Sequence, residues 1–376
     1  MTVYLDNSAT TAVCPEAAEK MMYMMTEGYG NPSSTHAMGR AARAELDAAR
    51  AAVARAIGCD GQEVYFTSGG TEADNIAVLG ACEKNYRLGR HVIVGANEHD
   101  AVLRSAGRLQ EKGFEVTYVN PRADGVIDPE DFRAAVRPDT ILASIMTVNN
   151  EVGAVNDIKA MRDILKAAAP RALFHTDAVQ AFCKTDISPK KTGADLITVS
   201  SHKIHGPKGA GALYIKRGVK ISPRTFGGGQ ESGMRPGTEA VANIAAFGTA
   251  AKIAHETMAE NREKFKTLRC AFIEKVCAAV PDAVVIGGGA DHILSISLPG
   301  YRSEVLLNYL DSRGVYISKG SACKRGARSH VLESMHLPPK VIDGAVRISF
   351  SRFNTLDEIN CAADVMIEAA ERLIKV

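Results

Sequence analysis

What this 376-residue chain lacks narrows its chemistry first. No apolar run approaches the roughly 20 residues that span a bilayer, and no charged-then-apolar leader segment opens the chain. No membrane association is therefore expected, and the cytoplasm is the expected compartment. Neither sign of charge dominates: 45 Lys and Arg against 43 Asp and Glu leave a formal +2. That balance argues neither for direct nucleic-acid contact nor for an anionic membrane surface. The eight cysteines, at 14, 59, 82, 183, 270, 277, 323 and 361, include no CxxC pair. Reduced thiols are expected, not a disulfide framework or a zinc site, and most should be small buried apolar groups. Neither GxGxxG nor GxxxxGK[ST] occurs, so dinucleotide-binding and P-loop readings lose support. No internal repeat or low-complexity tract is present.

What is there is an ordinary globular composition, 46% hydrophobic and 23% charged. The chain is too long for one small core, so a large domain and a smaller one are expected. A short strand at 3–5 leads into the small polar residues Asp6-Asn7-Ser8-Ala9-Thr10-Thr11, a loop suited to lining a site. Pro15 fits the first turn of a helix carrying Met21, Met22, Met24 and Met25, expected as core filling. Residues 37–57 read as a helix with a solvated charged face, ended by Gly58. Strand and helix signals then alternate, with strands at 63–66, 91–95, 115–119, 140–147, 172–176, 195–200 and 211–215. Helices are expected from Gly70, at 101–112, at 129–136 and at 158–169. This rhythm predicts a mainly parallel sheet with helices on both faces. A glycine-rich loop at 227–239 and one long helix over 240–279 lead into an α+β segment. There the expected strands are 293–298, 315–318 and 345–350, and the helices 303–313 and 355–374.

Ligands in such sheets sit at the carboxyl ends of the strands. The polar residues after those ends include Gly70 and Thr71, His99, Asn150, Asp177 and Gln180, and Ser200, His202 and Lys203. Free N–H groups at a helix start behind Gly69-Gly70 make an anion site. Lys203 stands where a strand stops and a Gly/Pro turn begins, and its amine is a nucleophile only if its surroundings depress its pKa. Singly, each has an ordinary alternative: His99 a core histidine, Asp177 a helix cap, Asn150 a turn residue, Lys203 a surface lysine. Jointly they match what pyridoxal phosphate needs. Lys203 offers a Schiff-base amine, Asp177 a carboxylate for the pyridine nitrogen and Gly70 with Thr71 a phosphate cradle. Asn150 or Gln180 offers a donor to the phenolic oxygen, and His99 a group over the ring.

The motifs YLDNSATT (4–11), FTSGGTEADN (66–75), EH (98–99), VNNEVG (148–153) and DAVQ (177–180) carry a resemblance. So do SSHKIHGPKGAGALY (200–214), GGGQESGMRPGTE (227–239), GSAC (320–323) and RIS (347–349). In this order, over nearly the entire chain, they resemble the cysteine desulfurase family of the NifS/IscS type. These are class V aminotransferase-like, fold-type I pyridoxal phosphate enzymes. The resemblance implies a mainly parallel large domain over 14–256, and a small domain from 1–13 and 257–376 that carries the Cys323 loop. It implies that Lys203 holds the cofactor, Asp177 pairs with its ring nitrogen and His99 stacks on the ring. Gly70, Thr71, Ser200 and His202 would hold the phosphate, and Asn150 and Gln180 would lie near the phenolic oxygen. Thr238 would reach the partner's phosphate in a homodimer with shared sites. Arg347, with Asn31 nearby, would bind the carboxylate of L-cysteine. Cys323, among lysines and arginines that favour its thiolate, would take the sulfur as a persulfide, leaving L-alanine. An acceptor in Fe–S assembly or tRNA thiolation, a scaffold or a thiolation factor, would then receive it. The rival within the cofactor class is a C–S or selenocysteine lyase that releases sulfide or selenium directly.

Two departures from the family pattern stand out. Ser329-His330 follows Cys323 about two residues early, which should shorten the reach of a persulfide. The IscS-type C-terminal extension is expected to be missing beyond Val376, which weighs against housekeeping Fe–S assembly as the pathway.

Overall fold

The computed structural model describes residues 2–320 and 328–375. In chain order its strands are β1 (Val3–Tyr4), β2 (Val64–Thr67), β3 (His91–Gly95), β4 (Glu115–Val119), β5 (Thr140–Ser144) and β6 (Leu173–Asp177). They continue as β7 (Leu196–Ser200), β8 (Gly211–Ile215), β9 (Val284–Ile286), β10 (Ile293–Ser297), β11 (Val315–Tyr316) and β12 (Ala345–Ser349). Seven form the main sheet, in the order β2-β8-β7-β6-β5-β3-β4. The pairs from β4 through to β7 are parallel, whereas β8 runs antiparallel to both β7 and β2. Six strands thus point one way, and their carboxyl ends share one edge.

Strand periodicity explains how both faces of this sheet are covered. Successive side chains point to opposite faces. Val92, Val94, Leu142 and Leu213 pack with the helices Gly70–Asn85 and Asp100–Glu111. Their neighbours Ile93, Ala143 and Ala212 pack with Ala37–Ile57, Ile158–Ala168 and Val241–Glu256. A sheet clad on both sides has no solvent face, which is why β3, β5, β7 and β8 are buried at every position.

A three-stranded antiparallel sheet, β12-β10-β9, and the parallel pair β1-β11 complete the strands. Val3, Leu5, Leu294, Ile296, Val346 and Ile348 share a second core with the helices Met258–Ala279, Ser303–Ser312 and Leu356–Arg372. From β1 the chain crosses toward the main sheet, bridging Asp6 to Ser349 on the way.

Three expectations change. The helix expected over 240–279 is two, Val241–Glu256 and Met258–Ala279, broken at Thr257. The Thr257 hydroxyl there donates to the Ile253 carbonyl at 2.9 Å and accepts from Asn261 at 2.8 Å. Of the four methionines expected in the core, only Met24 is fully buried, while Met22 and Met25 are exposed. The helix Pro15–Thr26 has one buried stripe, and residues 22 and 25 lie off it. The strand expected over 140–147 stops at Ser144, and Val148 bridges back to Val155 instead.

Candidate active site

The polar residues after β2, β3, β5, β6 and β7 open into one cleft of about 1240 Å³. Its wall includes Gly70, Thr71, His99, Asn150, Asp177, Gln180, Ser200, His202, Lys203 and Arg347. Lys203 follows β7 in a single 3₁₀ turn, Ser201–Lys203. Its Nζ donates to the Ser8 and Ala9 carbonyls at 2.5 and 2.7 Å. Burial, helped by the positive charges of Arg347 and Lys184, lowers its pKa to about 7 against the opposing pull of Asp6 and Asp177. An amine so depressed is a usable nucleophile near neutral pH.

Asp177 ends β6 at the floor of the cleft. Its Oδ1 accepts from Val179 N–H at 2.9 Å, and burial holds its carboxyl above the usual range despite His99 and Lys203 nearby. Ligand atoms of Asp74, His99 and Asp177 lie within 4.8 Å of one another. Asp74 and Glu98 are buried in the same wall and pushed well above the carboxylate range, first by burial and then by the Asp177 charge. His99 caps the helix Asp100–Glu111, with Nδ1 accepting from Ala101 N–H at 3.2 Å, so Nε2 carries the ring proton.

At the start of the helix Gly70–Asn85 the first N–H groups have no intrahelical acceptor. A Cβ on Gly70 would stand 2.8 Å from Val179 Cγ2. Only glycine lets the backbone come this close to the cleft floor. Ser200 Oγ, buried in the same wall, has no hydrogen-bond partner. His202 Nδ1 lies 3.2 Å from Thr10 Oγ1, and burial with Lys203, Lys208 and Lys184 around it takes this histidine down to about 4.

Arg347, on β12, is 4% exposed. Its Nη2 pairs with Asp6 Oδ1 at 2.8 Å, and Nη1 donates to the carbonyls of Asn150 (2.8 Å) and Gly320 (3.4 Å). Its Nε is unpartnered. Gly320 has φ +88°, and a Cβ there would meet Glu151 Oε2 at 2.9 Å. Glu151 also accepts from the Ser329 hydroxyl at 2.5 Å, and His330 Nε2 lies 3.1 Å from the Glu98 carbonyl. Both edges of the 321–327 stretch are thereby fastened to the cleft wall; Cys323 itself lies outside the described residues.

A match to the Aminotransferase class-V model runs over residues 3–361. The chain belongs to the class-V aminotransferase family. Among curated class-V relatives, the chain is 40% identical to "Cysteine desulfurase IscS" of Methanosarcina thermophila, spanning 99% of this chain and 92% of that protein. It is equally identical to "Putative cysteine desulfurase IscS 1" of Bacillus subtilis, spanning 99% of both. A solved "NIFS-LIKE PROTEIN" superposes with a TM-score of 0.94 at 36% identity, over 99% of this chain and 100% of that one. "SspA in complex with cysteine" superposes at 0.82 and 30% identity, over 94% and 100%.

Two of the expected class-V site residues are not brought to the cleft wall. Asn31 is exposed and bonds its own turn through Ser33 N–H at 2.9 Å, and Thr238 is exposed on the glycine-rich loop. Three residues given no role from the sequence prove central: Asp6, which aims Arg347, Asp74 beside Asp177, and Glu98, whose carboxylate accepts from Met146 N–H. The signal for Asp6 was the density of small polar residues after β1. For buried carboxyls such as Asp74 no local signal exists, because burial is a tertiary property.

Proposed function

We propose that this enzyme is a cysteine desulfurase that uses pyridoxal phosphate to convert L-cysteine into L-alanine, passing the sulfur to Cys323 as a persulfide. The observation that carries this is the meeting in one cleft of a depressed lysine amine, a buried carboxyl, an anion cradle and a pre-aimed arginine. The donor set fits the cofactor. The unpartnered Ser200 hydroxyl and the free N–H groups at Gly70–Thr71 suit a phosphate, with His202 beside them. Asp177, held above its usual range while alone, is the group a protonated ring nitrogen would turn into a stable anion. Asn150 and Gln180, whose Oε1 is unpartnered, line the same cleft and would lie near the phenolic oxygen, and His99, also in that wall, would stack on the ring.

When bound, pyridoxal phosphate supplies an aldehyde and an electron-accepting ring. Arg347, steadied by Asp6, binds the substrate carboxylate through its guanidinium fork. The Lys203 amine takes the Cα proton of L-cysteine, a task for which an unprotonated amine near pH 7 is suited. The Cys323 thiolate then attacks the substrate sulfur: an S–S bond forms and the C–S bond breaks. The electron pair left on Cβ takes up a proton, and the Lys203 ammonium returns a proton to Cα, giving alanine. Gly320, three residues before Cys323 in the sequence, accepts from Arg347 at the substrate end of the cleft.

In this reading the enzyme is a homodimer. Thr238 serves the partner's phosphate site, and Met22, Tyr23, Met25 and Tyr29 give the exposed apolar surface that such a contact covers. The chain divides into a large domain, 14–256, and a small one, 1–13 with 257–376, a division supported by the core around β10 and β12, whose buried residues all come from 1–13 and 257–376. A sulfur-acceptor protein completes the cycle.

The test is mass spectrometry of the purified enzyme after brief incubation with L-cysteine and no reductant. The expected result is one added sulfur on the Cys323 peptide together with alanine, and a stalled Cys323→Ser variant. Free sulfide with an unmodified Cys323, and turnover surviving in Cys323→Ser, would make the enzyme a lyase.

A further inference from the structure

Two residues beyond Lys203, His205 is buried yet takes no part in the wall of the main cleft. It has φ +66°, a left-handed backbone that costs energy for a non-glycine residue. Its contacts hold it there. The backbone N–H donates to Thr11 Oγ1 and the carbonyl accepts from Cys14 N–H, each at 2.9 Å. On the side chain, Nδ1 lies 2.9 Å from the Ala12 carbonyl and Nε2 lies 3.2 Å from Ser351 Oγ. The ring also meets the Phe353 ring at its edge, with centroids 4.8 Å apart. One tautomer satisfies every polar partner. A carbonyl only accepts, so Nδ1 carries the proton and Nε2 keeps a lone pair. The Ser351 hydroxyl accepts the Phe353 N–H at 3.1 Å, which leaves its own proton for Nε2. Burial, with Arg352 and Lys184 adding positive charge, takes the imidazole down to about 4. The ring is therefore neutral near pH 7, as this tautomer requires.

These bonds join the surroundings of the two residues that handle the substrate. The segment before Ala12 supplies the Ser8 and Ala9 carbonyls that accept from Lys203 Nζ. Thr11 in turn bonds the His202 carbonyl through both its N–H, at 3.0 Å, and its hydroxyl, at 3.1 Å. On the other side, Ser351 stands just beyond β12, the strand that carries Arg347. We propose that His205 is a positioning residue for the desulfurase reaction: through Ala12 and Ser351, its imidazole sets the Lys203 amine and the Arg347 guanidinium at the spacing L-cysteine requires. This rests on the roles given to Lys203 and Arg347 above. The backbone bonds of His205 reach only the N-terminal segment, so the Nε2 bond is the one that crosses to the β12 side. Asp6 already joins Arg347 to that same N-terminal segment. The Ser351 bond therefore closes a ring of three chain segments, 6–12, 203–205 and 347–351. Segments closed in a ring cannot slide past one another singly.

The bond can be cut from either end. His205→Asn suits the left-handed backbone but is too short to reach Ser351, and Ser351→Ala removes the hydroxyl. The experiment compares the wild type, both single variants and the double variant. It measures kcat/KM for alanine formation by the cofactor-loaded enzyme, with L-cysteine and with L-cysteine deuterated at Cα. Urea unfolding of the four cofactor-free proteins is run alongside. Each single variant should lose about tenfold in kcat/KM, the effect of a reacting group held out of line. The double variant should fall no further, because one bond is lost in all three. Their isotope effect should exceed that of the wild type, since a misplaced lysine slows transfer of the Cα proton. In urea, too, the double variant should lose less stability than the two singles combined. Losses that simply combine in the double variant would overturn the proposal. So would a wild-type kcat/KM and isotope effect in variants that only unfold at lower urea, since His205 would then be structural alone. If His205→Asn does not fold, the isotope effect of Ser351→Ala decides by itself. A wild type that forms no alanine would instead overturn the roles of Lys203 and Arg347, and this inference with them, whatever the urea curves show.

Discussion

Lys203 shows how one side chain converts position into reactivity. It sits one turn beyond a fully buried strand and is itself buried, so its amine must either leave water charged at high cost or give up its proton. It does the second, with a folded pKa of about 7 against 10.5 when free. Between those values the unfolded chain holds the extra proton, so raising the pH favours the folded state. The cofactor-free protein should therefore gain stability from about pH 7 to about pH 10.5. Lys203→Met should lose that gain, so the difference in stability, variant minus wild type, should shrink across this window. Urea unfolding at several pH values measures it, and parallel curves for the two proteins would contradict the depressed amine. Asp177 makes the complementary case: burial pushes its carboxyl up, so only a cation placed against it restores the anion.

At the scale of elements, the loop that follows β8 is held by one buried pair. Glu231 forms two bonds to Arg50, at 2.6 and 2.8 Å, and accepts the Phe66 N–H of β2 at 2.8 Å. Arg50 also lies over the Phe66 ring, 4.7 Å from its centroid. Both Glu231 and Ser232 take left-handed backbone angles, so the pair holds a strained turn in place. Glu231→Ala strands the arginine and should cost about 3–5 kcal/mol in urea unfolding. A cost under about 1 kcal/mol would show the turn is fastened otherwise. Much at this scale was legible in the sequence, because helix and strand periods are local and glycine marks the ends. Gly58, for instance, closes the helix Ala37–Ile57 at φ +83° where expected. Two things were not. The break at Thr257 carries no glycine or proline, and only the rival hydrogen bonds of its hydroxyl mark it. The reversal of β8 depends on a turn after Lys203 that looks, residue by residue, like any crossover. At the site the glycine turn, Asp177 and Lys203 could be read because they stand at or just after strand ends, whereas Arg347 came only from the family resemblance. The Asp6–Arg347 pair could not, being joined only by the closing of the fold.

Over the whole molecule, the first dozen residues belong to two structures at once. Val3 and Leu5 fill the core of the smaller sheet, while Asp6, Ser8 and Ala9 hold Arg347 and Lys203. Leu5 touches neither substrate nor cofactor in this arrangement, yet its packing sets where the next four residues stand. Leu5→Ala should cost about 2–5 kcal/mol in unfolding and should also weaken cofactor retention in the still-folded enzyme, seen by titrating the apoprotein with pyridoxal phosphate. Retention at the wild-type level would separate the two roles. The Asp6–Arg347 bond joins positions 341 residues apart, and chains emerge from the ribosome amino end first. A nascent chain that has not yet released Arg347 can build the main sheet and expose Lys203, but it cannot close the substrate end of the cleft. During synthesis, competence to capture the substrate therefore waits for Arg347, well after the residues of the main sheet have been made.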